Sequence, residues 1–503
     1  MIASKAQDIQ EAGITMVWMP PASKTPRWDL NEEGDPFSAC GYVPMDYYDL
    51  GEYEQWVQDG WPRYTANWYK HGGSETLYGS REELQNAINV LHGKGLKVIA
   101  DIVLNHRGPR QKNDCDEWIS WGDDMGKIAS GKMFWGNKSD CDPPEIISMN
   151  GGGGGNDDGE SGFPPNVAHQ NANVRNQFKE WMFWMKNSVG FDGWRYDYVK
   201  GFSADRVKEY NDATNPYWSV GEFWDEEVTN NIIAWINASH TDDAKKSAAF
   251  DFPSKVVLTN NFGTNNFTVL GALPGLMGRW PTKAVTFLDN HDTYPPHNNP
   301  KPFPDNRLLE GYAYILTHPG VPCIYWQHFY DKGPVIHDKI KELCRIRREQ
   351  GITNTSAVWI IRAEQDLYAA EVDNKLIVKI GPKQWEPNDA GIAGCSIRAE
   401  YGDYKIWTKS SGGGAETVFK IHEDVGFGNF ISIRGSIPQL NDWSAPGRSC
   451  TWSPGDIWQC AVTDIPSGKS FEWKSLKNDS IWESGPNHSG TGGTTYEVRP
   501  TGY

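Results

Sequence analysis

Ionisable side chains end or follow four apolar, strand-like segments of this 503-residue sequence. In chain order these groups are Asp101 to His106, Arg195 with Asp197, Glu222, and Asp289 to Asp292. Burying ionisable groups costs free energy unless they are paired or used. One such strand end is compatible with a structural ion pair. Four ends that converge in one cleft indicate an active site.

Three carboxylates beside one arginine and two histidines fit the cleavage of a glycosidic bond. A retaining mechanism needs one carboxylate that stays ionised as the nucleophile and a second group that stays protonated as the acid. Arg195, two residues from Asp197, is placed to keep that carboxylate charged. Glu222 has apolar neighbours, which favour its protonated form. Asp292, with His291, is suited to bind sugar hydroxyls as positive charge develops on the ring.

The elements that would carry these groups alternate between helix and strand. Helices are predicted over 1–12, 81–92, 174–189, 204–211, 228–238, 267–273, 308–317 and 338–348. Strands are predicted over 14–19, 96–103, 191–198, 217–222, 248–252, 284–288 and 321–326. This alternation is typical of a parallel sheet and, over some 350 residues, of a (β/α)8 barrel of the α/β class. In such a barrel the reactive residues lie at the carboxyl ends of the strands.

The strand count and the remaining segments predict the domain organisation. There are seven candidate strands, and the chain begins in the helix that should follow the first one, so we expect a barrel that lacks its opening strand. Residues 107–170, rich in Gly, Asp and Asn, are too long for a structureless loop and are expected to form an inserted subdomain. We expect the barrel to occupy residues 1–350, a small antiparallel β domain 351–409, a linker 410–414 and a β-sandwich 415–503.

Composition excludes some classes of partner. The chain has 48 basic and 65 acidic residues, a formal net charge of −17, and no cluster of Lys and Arg. This argues against nucleic acid and anionic membranes as partners, because both need a basic surface. The 24 Trp, 21 Tyr and 19 Phe fit either core packing or the binding of flat ligands, and composition alone favours the core. We expect a monomer.

The eight cysteines contain no C-x-x-C pair, which argues against zinc and thioredoxin chemistry. Cys450 and Cys460 flank a turn and are placed to bridge a hairpin, and Cys115 with Cys141 could pair in the same way. Free buried thiols are an equally good interpretation of both pairs.

Four short stretches carry a family resemblance. Residues 101–106, 193–201, 221–222 and 287–292 resemble the four signature regions of the α-amylase family, glycoside hydrolase family 13. Residues 190–202 and 366–379 are most similar to plant-type and maltooligosaccharide-forming amylases. The resemblance covers about residues 1–409 and implies a retaining endo-hydrolase of α-1,4-glucan. It leaves open a relative that releases one short maltooligosaccharide, a glucanotransferase, or a non-catalytic starch-binding protein built on a truncated barrel.

The resemblance implies a role for each matching side chain. Asp197 corresponds to the nucleophile, Glu222 to the general acid/base and Asp292 to the transition-state stabiliser. The implied substrate contacts are Tyr42, His106, Arg195, Lys200 and His291. The presence of all three carboxylates argues against the non-catalytic alternative, whereas a missing strand favours it.

The family also holds a structural calcium ion between the barrel and the insert. The implied oxygen ligands are Asn105, Asn156, Asp157, Asn166 and the backbone carbonyl of Gly201. Asn166 stands where the family commonly has Asp, so a ligand is kept and a charge is lost. Asn and Asp in glycine-rich loops also form turns without any metal, which remains an alternative for Asn156 and Asp157.

Residues 433–443, 470–474 and 481–487 resemble a starch-binding domain of carbohydrate-binding module family 20. The resemblance implies that Trp443 and Trp482 stack on glucose rings while Lys474 and Asn487 donate hydrogen bonds. Phe427 stands where a second site usually has tyrosine. Core packing is the alternative for either tryptophan. We expect an extracellular, secreted protein, although no signal peptide is visible.

Overall fold

The computed structural model describes two compact units. The residues described are 1–25, 41–42, 44, 46–54, 73–106, 167, 169–296, 300–409, 417–426, 429–462, 465 and 468–503, with the backbone of 56–58, 68–70, 111–112, 118–119, 146–147 and 166. One unit comprises residues 1–369, 380–383 and 401–404, and the other comprises 370–379, 384–400 and 405–503. Most of the predicted insert at 107–170 lies outside the described residues.

A seven-stranded parallel sheet forms the centre of the first unit. Its strands are β1 (Met16–Met19), β2 (Lys97–Ile102), β3 (Gly193–Tyr196), β4 (Ser219–Gly221), β5 (Ala248–Phe250), β6 (Ala284–Phe287) and β7 (Val321–Cys323). They are hydrogen-bonded in sequence order, and every neighbouring pair is parallel. The strands from β2 to β6 are almost wholly buried, as expected for a sheet covered on both faces. The predicted fold class is confirmed, with seven parallel strands among the described residues.

Ten α-helices are described. They are α1 (Ile2–Ala12), α2 (Arg81–Gly93), α3 (Ala172–Trp184), α4 (Ala204–Thr214), α5 (Thr229–Ala238), α6 (Phe252–Phe262), α7 (Gly275–Arg279), α8 (Leu308–Thr317), α9 (Trp326–Tyr330) and α10 (Pro334–Glu349). A π-helical turn, Met185–Val189, continues α3, and short 3-10 segments lie at Val199–Gly201, Phe267–Gly271, Pro281–Lys283 and Asp305–Arg307. Among the described residues, every helix is too short or too polar to span a bilayer.

Local sequence explains several helix ends. The Ser80 hydroxyl accepts a hydrogen bond from the Glu83 N–H, and the Glu83 carboxylate accepts one from the Ser80 N–H, so the capping box begins α2. Gly13 ends α1 with φ at 85°, a left-handed conformation that glycine adopts without strain. The Asp8 carboxylate of α1 accepts hydrogen bonds from Tyr330 and His337 and binds Lys341, which ties α1 to α9 and α10.

The predicted helix at 267–273 is wrong. That segment contains a 3-10 turn, and the helices between β5 and β6 are α6 and α7. The sequence of α6 lacks a clear helical pattern of apolar residues, because the buried position 255 is a lysine. The β-branched residues Val256 and Val257 also lower its helix propensity. Asp251 caps α6 by accepting a hydrogen bond from the Ser254 N–H at 3.1 Å.

Three antiparallel or mixed sheets follow the barrel elements. Strands Val358–Glu364, Leu367–Val372, Leu376–Ile380, Tyr404–Lys409 and Cys395–Tyr401 form a five-stranded sheet in that order. A four-stranded sheet has the order Thr451–Ser453, Ile457–Val462, Thr417–His422 and Thr495–Val498. A five-stranded sheet has Arg448–Ser449, Ile431–Gly435, Ser470–Lys477 and Ile481–Trp482 in order, with His488–Thr491 also paired to Ser470–Lys477.

The last two sheets enclose one apolar core, which includes Phe419, Ile433 and Trp473, as in a sandwich. A disulfide joins Cys450 to Cys460, so that predicted pairing is confirmed. The other predicted pairing, Cys115 with Cys141, lies outside the described residues.

Candidate active site

One buried guanidinium holds three carboxylates. Arg195 of β3 has no exposed surface, and its Nη1 lies 2.6 Å from Asp197 Oδ1 and 3.0 Å from Asp101 Oδ1. Its Nη2 lies 2.6 Å from Glu222 Oε1. Arg195 and Asp197 are two residues apart and therefore point to the same side, while Glu222 directly follows the neighbouring strand β4. The predicted convergence of Arg195, Asp197 and Glu222 at strand ends is present in the structure.

Asp101 belongs to one of the four polar strand ends seen in the sequence, but the sequence predicts no role for it. Its Oδ2 accepts hydrogen bonds from Trp18 Nε1 at 3.0 Å and from the Tyr42 hydroxyl at 2.8 Å, in addition to the Arg195 contact. It lies inside β2, four residues before Asn105, whereas the implied substrate and calcium ligands, His106 and Asn105, follow the strand. The available sequence signal was a carboxyl group within an apolar strand, and the structure places it in register with Arg195 of β3.

Two of these carboxyl groups favour the protonated form. Burial raises the pKa of Glu222 well above its usual range; Arg195 opposes this shift, and the charges of Asp197 and Asp292 add to it. Burial also raises the pKa of Asp101, to about 7, against the effect of Arg195. Both carboxyl groups form an ion pair with Arg195, but Asp101 also accepts hydrogen bonds from the Trp18 and Tyr42 side chains, whereas Glu222 accepts only one further bond, from the Tyr198 N–H, among the described residues. Glu222 is therefore more readily protonated than Asp101, because hydrogen bonds stabilise the charged form of Asp101.

Aromatic rings and imidazoles form a wall beside these carboxylates. Tyr42, in the loop after β1, stacks on His291 with ring centres 4.8 Å apart. His291 Nε2 lies 3.2 Å from Asp292 Oδ2, and His106 Nε2 lies 2.6 Å from the Tyr42 carbonyl oxygen. Asp292 is partly exposed, unlike Glu222. Tyr42, His291 and Asp292 line one cavity of about 680 Å³, so they are accessible to a ligand.

Lys200 lies in the 3-10 segment after β3, with its Nζ 5.8 Å from the centre of the Phe223 ring. This segment directly follows the strand that carries Arg195, and Phe223 directly follows Glu222. Lys200 thus lies at the carboxyl-terminal end of the parallel strands, as Asp197 and Glu222 do.

Part of the predicted calcium site is described. Asn105 is buried, and its Oδ1 has no hydrogen-bond partner among the described residues. A β-carbon at Gly201 would lie 1.8 Å from this oxygen, so Asn105 and the backbone of Gly201 are close together. A buried amide oxygen without a donor fits a cation ligand. Asn156 and Asp157 lie outside the described residues, and Asn166 is described only as backbone paired with Ile147.

The sandwich brings together the two tryptophans predicted to bind sugar. Trp443 and Trp482 have ring centres 5.9 Å apart, and Trp482 is 39% exposed, so neither is simply a core residue. Lys474 Nζ donates to the carbonyl oxygens of Glu483 and Gly485, which follow Trp482. Asn487 Nδ2 donates to Glu472 at 3.1 Å. Phe427 lies outside the described residues.

Family models match three successive parts of the chain. The model described as the alpha amylase catalytic domain matches residues 2–326, which is more than half of the sequence. The chain belongs to the α-amylase family. An alpha-amylase C-terminal beta-sheet domain matches residues 349–408 of this family member, and a starch binding domain matches residues 415–500. The resemblance seen in the sequence is therefore confirmed, and the chain is a glycoside hydrolase with a starch-binding domain.

Similar proteins share this assignment. The chain is 35% identical to "Probable alpha-amylase 2" of Arabidopsis thaliana, over 80% of this chain and 89% of the relative. It is 33% identical to "Alpha-amylase 3, chloroplastic" of the same species over 81% of this chain, but spans only 42% of that relative's length. It is 28% identical to the glucan 1,4-alpha-maltotetraohydrolase of Roseateles saccharophilus, over 90% of this chain and 85% of the relative.

A solved structure supports the fold. The crystal structure of a gamma-CGTase from alkalophilic Bacillus clarkii aligns with a TM-score of 0.54 at 17% identity, covering 99% of this family member and 92% of the other chain.

Proposed function

We propose that this chain hydrolyses α-1,4-glucosidic bonds within starch and related glucans, with retention of configuration. The observation that carries the proposal is the Arg195 guanidinium, which holds the Asp197 and Glu222 carboxyl oxygens at 2.6 Å each. Retention requires two carboxyl groups about 5–5.5 Å apart, and this spacing between Asp197 and Glu222 is what we expect. With retention, the new reducing end of each product has the α-anomeric configuration.

Each group has one task in the proposed reaction. Glu222, protonated because of its burial, gives its proton to the glycosidic oxygen while the Asp197 carboxylate attacks the anomeric carbon. The leaving chain departs, and Asp197 is bound covalently to the sugar. The Glu222 carboxylate then takes a proton from water, which attacks the same carbon and releases Asp197. Asp292 and His291 bind the ring hydroxyls, and Tyr42 gives the sugar a stacking face.

Calcium is proposed as a structural ion. Asn105 and the Gly201 carbonyl would hold it, with Asn156, Asp157 and Asn166 as the remaining oxygen ligands. The orphaned Asn105 Oδ1 supports this assignment. The ion would supply positive charge that joins the loop after β2 to the turn after β3.

The starch-binding domain is proposed to hold the enzyme on granules through Trp443 and Trp482, with Lys474 and Asn487 as hydrogen-bond donors. Phe427 is proposed for a second site. We propose domains at 1–350, with an insert at 107–170, at 351–409 and at 415–503, joined by a linker at 410–414. A secreted or plastid location is proposed, since one relative is named chloroplastic and a disulfide is favoured in oxidising compartments.

A second candidate is the release of one short maltooligosaccharide from chain ends. The relative named glucan 1,4-alpha-maltotetraohydrolase, which matches 90% of this chain, favours it. The oligosaccharides present early in the digestion of soluble starch distinguish the two: endo-action gives a range of lengths, and exo-action gives one.

The test removes the proposed acid. Glu222→Gln should lower kcat on soluble starch by about 10²–10⁴-fold, because no proton reaches the leaving oxygen. The matched control is Glu226→Gln, which alters a carboxylate four residues away that is paired with Lys301. We expect the control to keep wild-type activity. Wild-type kcat in Glu222→Gln would refute the assignment.

A further inference from the structure

The loop that carries Trp443 in the starch-binding domain has a strained backbone. Asn441, Asp442 and Trp443 have φ angles of 63°, 44° and 65°, so three successive residues lie in the left-handed region. Residues other than glycine adopt this conformation at a cost, and they keep it only where surrounding contacts hold it. The position of the Trp443 ring therefore depends on contacts that fix this loop.

The hairpin that carries Trp482 has a turn of the same hand. Its two central residues, Asn478 and Asp479, have φ angles of 53° and 55°. Among residues with a β-carbon, Asn and Asp tolerate this conformation best. The turn joins the antiparallel strands Ser470–Lys477 and Ile481–Trp482, so it determines where Trp482 lies relative to the longer strand.

The Asp479 carboxylate joins this hairpin to the segment that follows Trp443. Its Oδ1 accepts hydrogen bonds from the Ser432 hydroxyl at 2.7 Å and from the Gly447 N–H at 2.9 Å. Gly447 is four residues after Trp443, and a β-carbon at this position would lie 2.7 Å from the same oxygen. The close approach is possible because residue 447 is a glycine. One carboxylate thus binds both of the segments that carry the tryptophans.

Arg434 connects the same carboxylate to the Trp482 ring. This arginine is buried, and its Nη2 lies 2.9 Å from Asp479 Oδ2 and donates to the Asp479 carbonyl oxygen at 2.6 Å. Its guanidinium carbon lies 5.5 Å from the centre of the Trp482 ring, within the range of a cation–π contact. Although burial opposes the shift, hydrogen bonds from Arg434 and the other donors lower the pKa of Asp479. The ion pair is therefore present at neutral pH.

We propose that Arg434 and Asp479 are positioning residues for starch binding, which fix the Trp443 and Trp482 rings before a glucan arrives. The two ring centres lie 5.9 Å apart, with 53° between the ring planes. A glucan that binds to fixed rings does not have to order them, so less conformational entropy is lost on binding. The effect on adsorption rests on the proposed stacking of sugar on these rings, whereas the arrangement of the rings in the free chain does not.

Asp479→Ala tests the connection, and Glu497→Ala is its matched control. The Glu497 carboxylate lies 2.6 Å from His422 Nε2 in the four-stranded sheet of the same domain. In adsorption isotherms of the full chain on granular starch, Asp479→Ala should raise Kd about tenfold, because the glucan must then order both rings. Glu497→Ala should keep the wild-type Kd. A wild-type Kd in Asp479→Ala would overturn the proposal.

A double-mutant cycle distinguishes positioning from direct contact with the sugar. The background is the variant that lacks both rings, Trp443→Ala with Trp482→Ala. If Asp479 acts through the rings, adding Asp479→Ala to this background should leave its residual Kd unchanged. A further rise in Kd would show that Asp479 contacts the glucan itself, and would contradict a positioning role.

Circular dichroism of the free chain tests the ring arrangement without starch. Two indole rings this close couple their electronic transitions, which gives two far-ultraviolet bands of opposite sign in the difference between wild type and Trp482→Ala. This pair of bands should be lost in Asp479→Ala and kept in Glu497→Ala. Arg434→Met removes the other partner, should lose the bands too, and decides alone if Asp479→Ala does not fold. Because starch is absent, failure of the proposed sugar stacking would not affect this result, whereas bands that persist in Arg434→Met would overturn the proposal.

Discussion

At the scale of single residues, Arg195 decides the chemistry of the site. If all three carboxylates beside the one buried guanidinium were charged, a largely buried place would hold an excess of negative charge. Burial and repulsion from Asp197 and Asp292 therefore favour a proton on Glu222, against the attraction of Arg195. Glu222, the acid in the proposed reaction, is thus a group whose protonated form the surroundings favour.

This protonation has a measurable effect on stability. The pKa of Glu222 is raised in the folded protein, so above its usual value of 4.5 the folded chain binds a proton that the unfolded chain has lost. Stability must then fall as pH rises from that value towards the raised pKa. Glu222→Gln removes this contribution to the pH dependence of stability. Between pH 5 and 8, the Tm of this variant should therefore fall less than that of the wild type, as measured by differential scanning calorimetry.

Glu226→Gln is the matched control for that measurement. Although burial opposes it, bonds from Lys301 and Trp224 lower the pKa of Glu226, so this group stays ionised in both states above pH 5. In Glu226→Gln, Tm should change with pH as it does in the wild type. Parallel curves for Glu222→Gln and the wild type would show that Glu222 is not protonated by its surroundings.

Residue types and short spacings were sufficient to predict Asp197, Glu222 and Arg195 as one site. They were not sufficient to predict the role of Asp101 or its contact with Trp18. The bond between these two side chains depends on the register of β1 on β2, which pairs Trp18 with Ile99. Register is a property of the folded sheet, and the sequence pattern around Trp18 indicates only a short apolar strand.

At the scale of elements, we expect the proposed calcium ion to stabilise the loop after β2 and the turn after β3. Asn105 Oδ1 lies against Gly201 without a donor among the described residues. A chelator should therefore lower Tm by several degrees, and added CaCl2 should restore it. In Asn105→Ala, the difference in Tm between chelator and added CaCl2 should be mostly lost, because one proposed calcium ligand is absent.

The control for the calcium experiment is Asn171→Ala. Asn171 caps α3 by accepting a hydrogen bond from the Asn173 N–H at 2.9 Å, so its loss should cost about 1 kcal/mol with or without calcium. The calcium-dependent change in Tm should persist in this variant. A wild-type Tm that does not respond to the chelator, or a full response in Asn105→Ala, would contradict the assignment.

Elements with clear periodicity and end signals could be predicted from sequence, and others could not. The range of α8 is the predicted one, and Gly13 ends α1 as expected. The helix α6 was missed because a buried Lys255 interrupts its apolar face. The predicted helix at 174–189 is α3 continued by a π-helical turn, a change in hydrogen bonding that residue types do not signal.

At the scale of the whole molecule, cleavage and granule binding lie on different parts of the chain. The carboxylates belong to the parallel sheet, and the paired tryptophans belong to the sandwich. Trp443→Ala with Trp482→Ala should reduce adsorption to granular starch at least tenfold, because stacking faces are lost. The rate on soluble starch should stay at the wild-type level.

The control for granule binding is Trp359→Ala. Trp359 is the most exposed tryptophan among the described residues, at 74%, and it lies outside the starch-binding domain. Trp359→Ala removes an exposed ring and leaves Trp443 and Trp482 unchanged. Adsorption that survives in the double variant, or that is lost in the control, would contradict the stacking assignment.

The change from a parallel sheet to antiparallel and mixed sheets along the chain could be predicted, because alternating helices and strands give way to short strands alone. The two sheets of the sandwich and their pairing could not, since the pairing of Thr417–His422 with Thr495–Val498 joins residues far apart in the chain. Net charge argues against nucleic acid as a partner but does not indicate where the carboxylates of the candidate site lie.

The central claim is that Asp197 becomes covalently bound to the sugar while Glu222 moves the proton. The most direct test is to trap this intermediate with a 5-fluorinated α-glucosyl fluoride and to analyse a digest by mass spectrometry. We expect one fluoroglycosyl group on the peptide that contains Asp197, and α-anomeric products from the untreated enzyme by NMR. A label on another carboxylate, or β-anomeric products without any label, would contradict it.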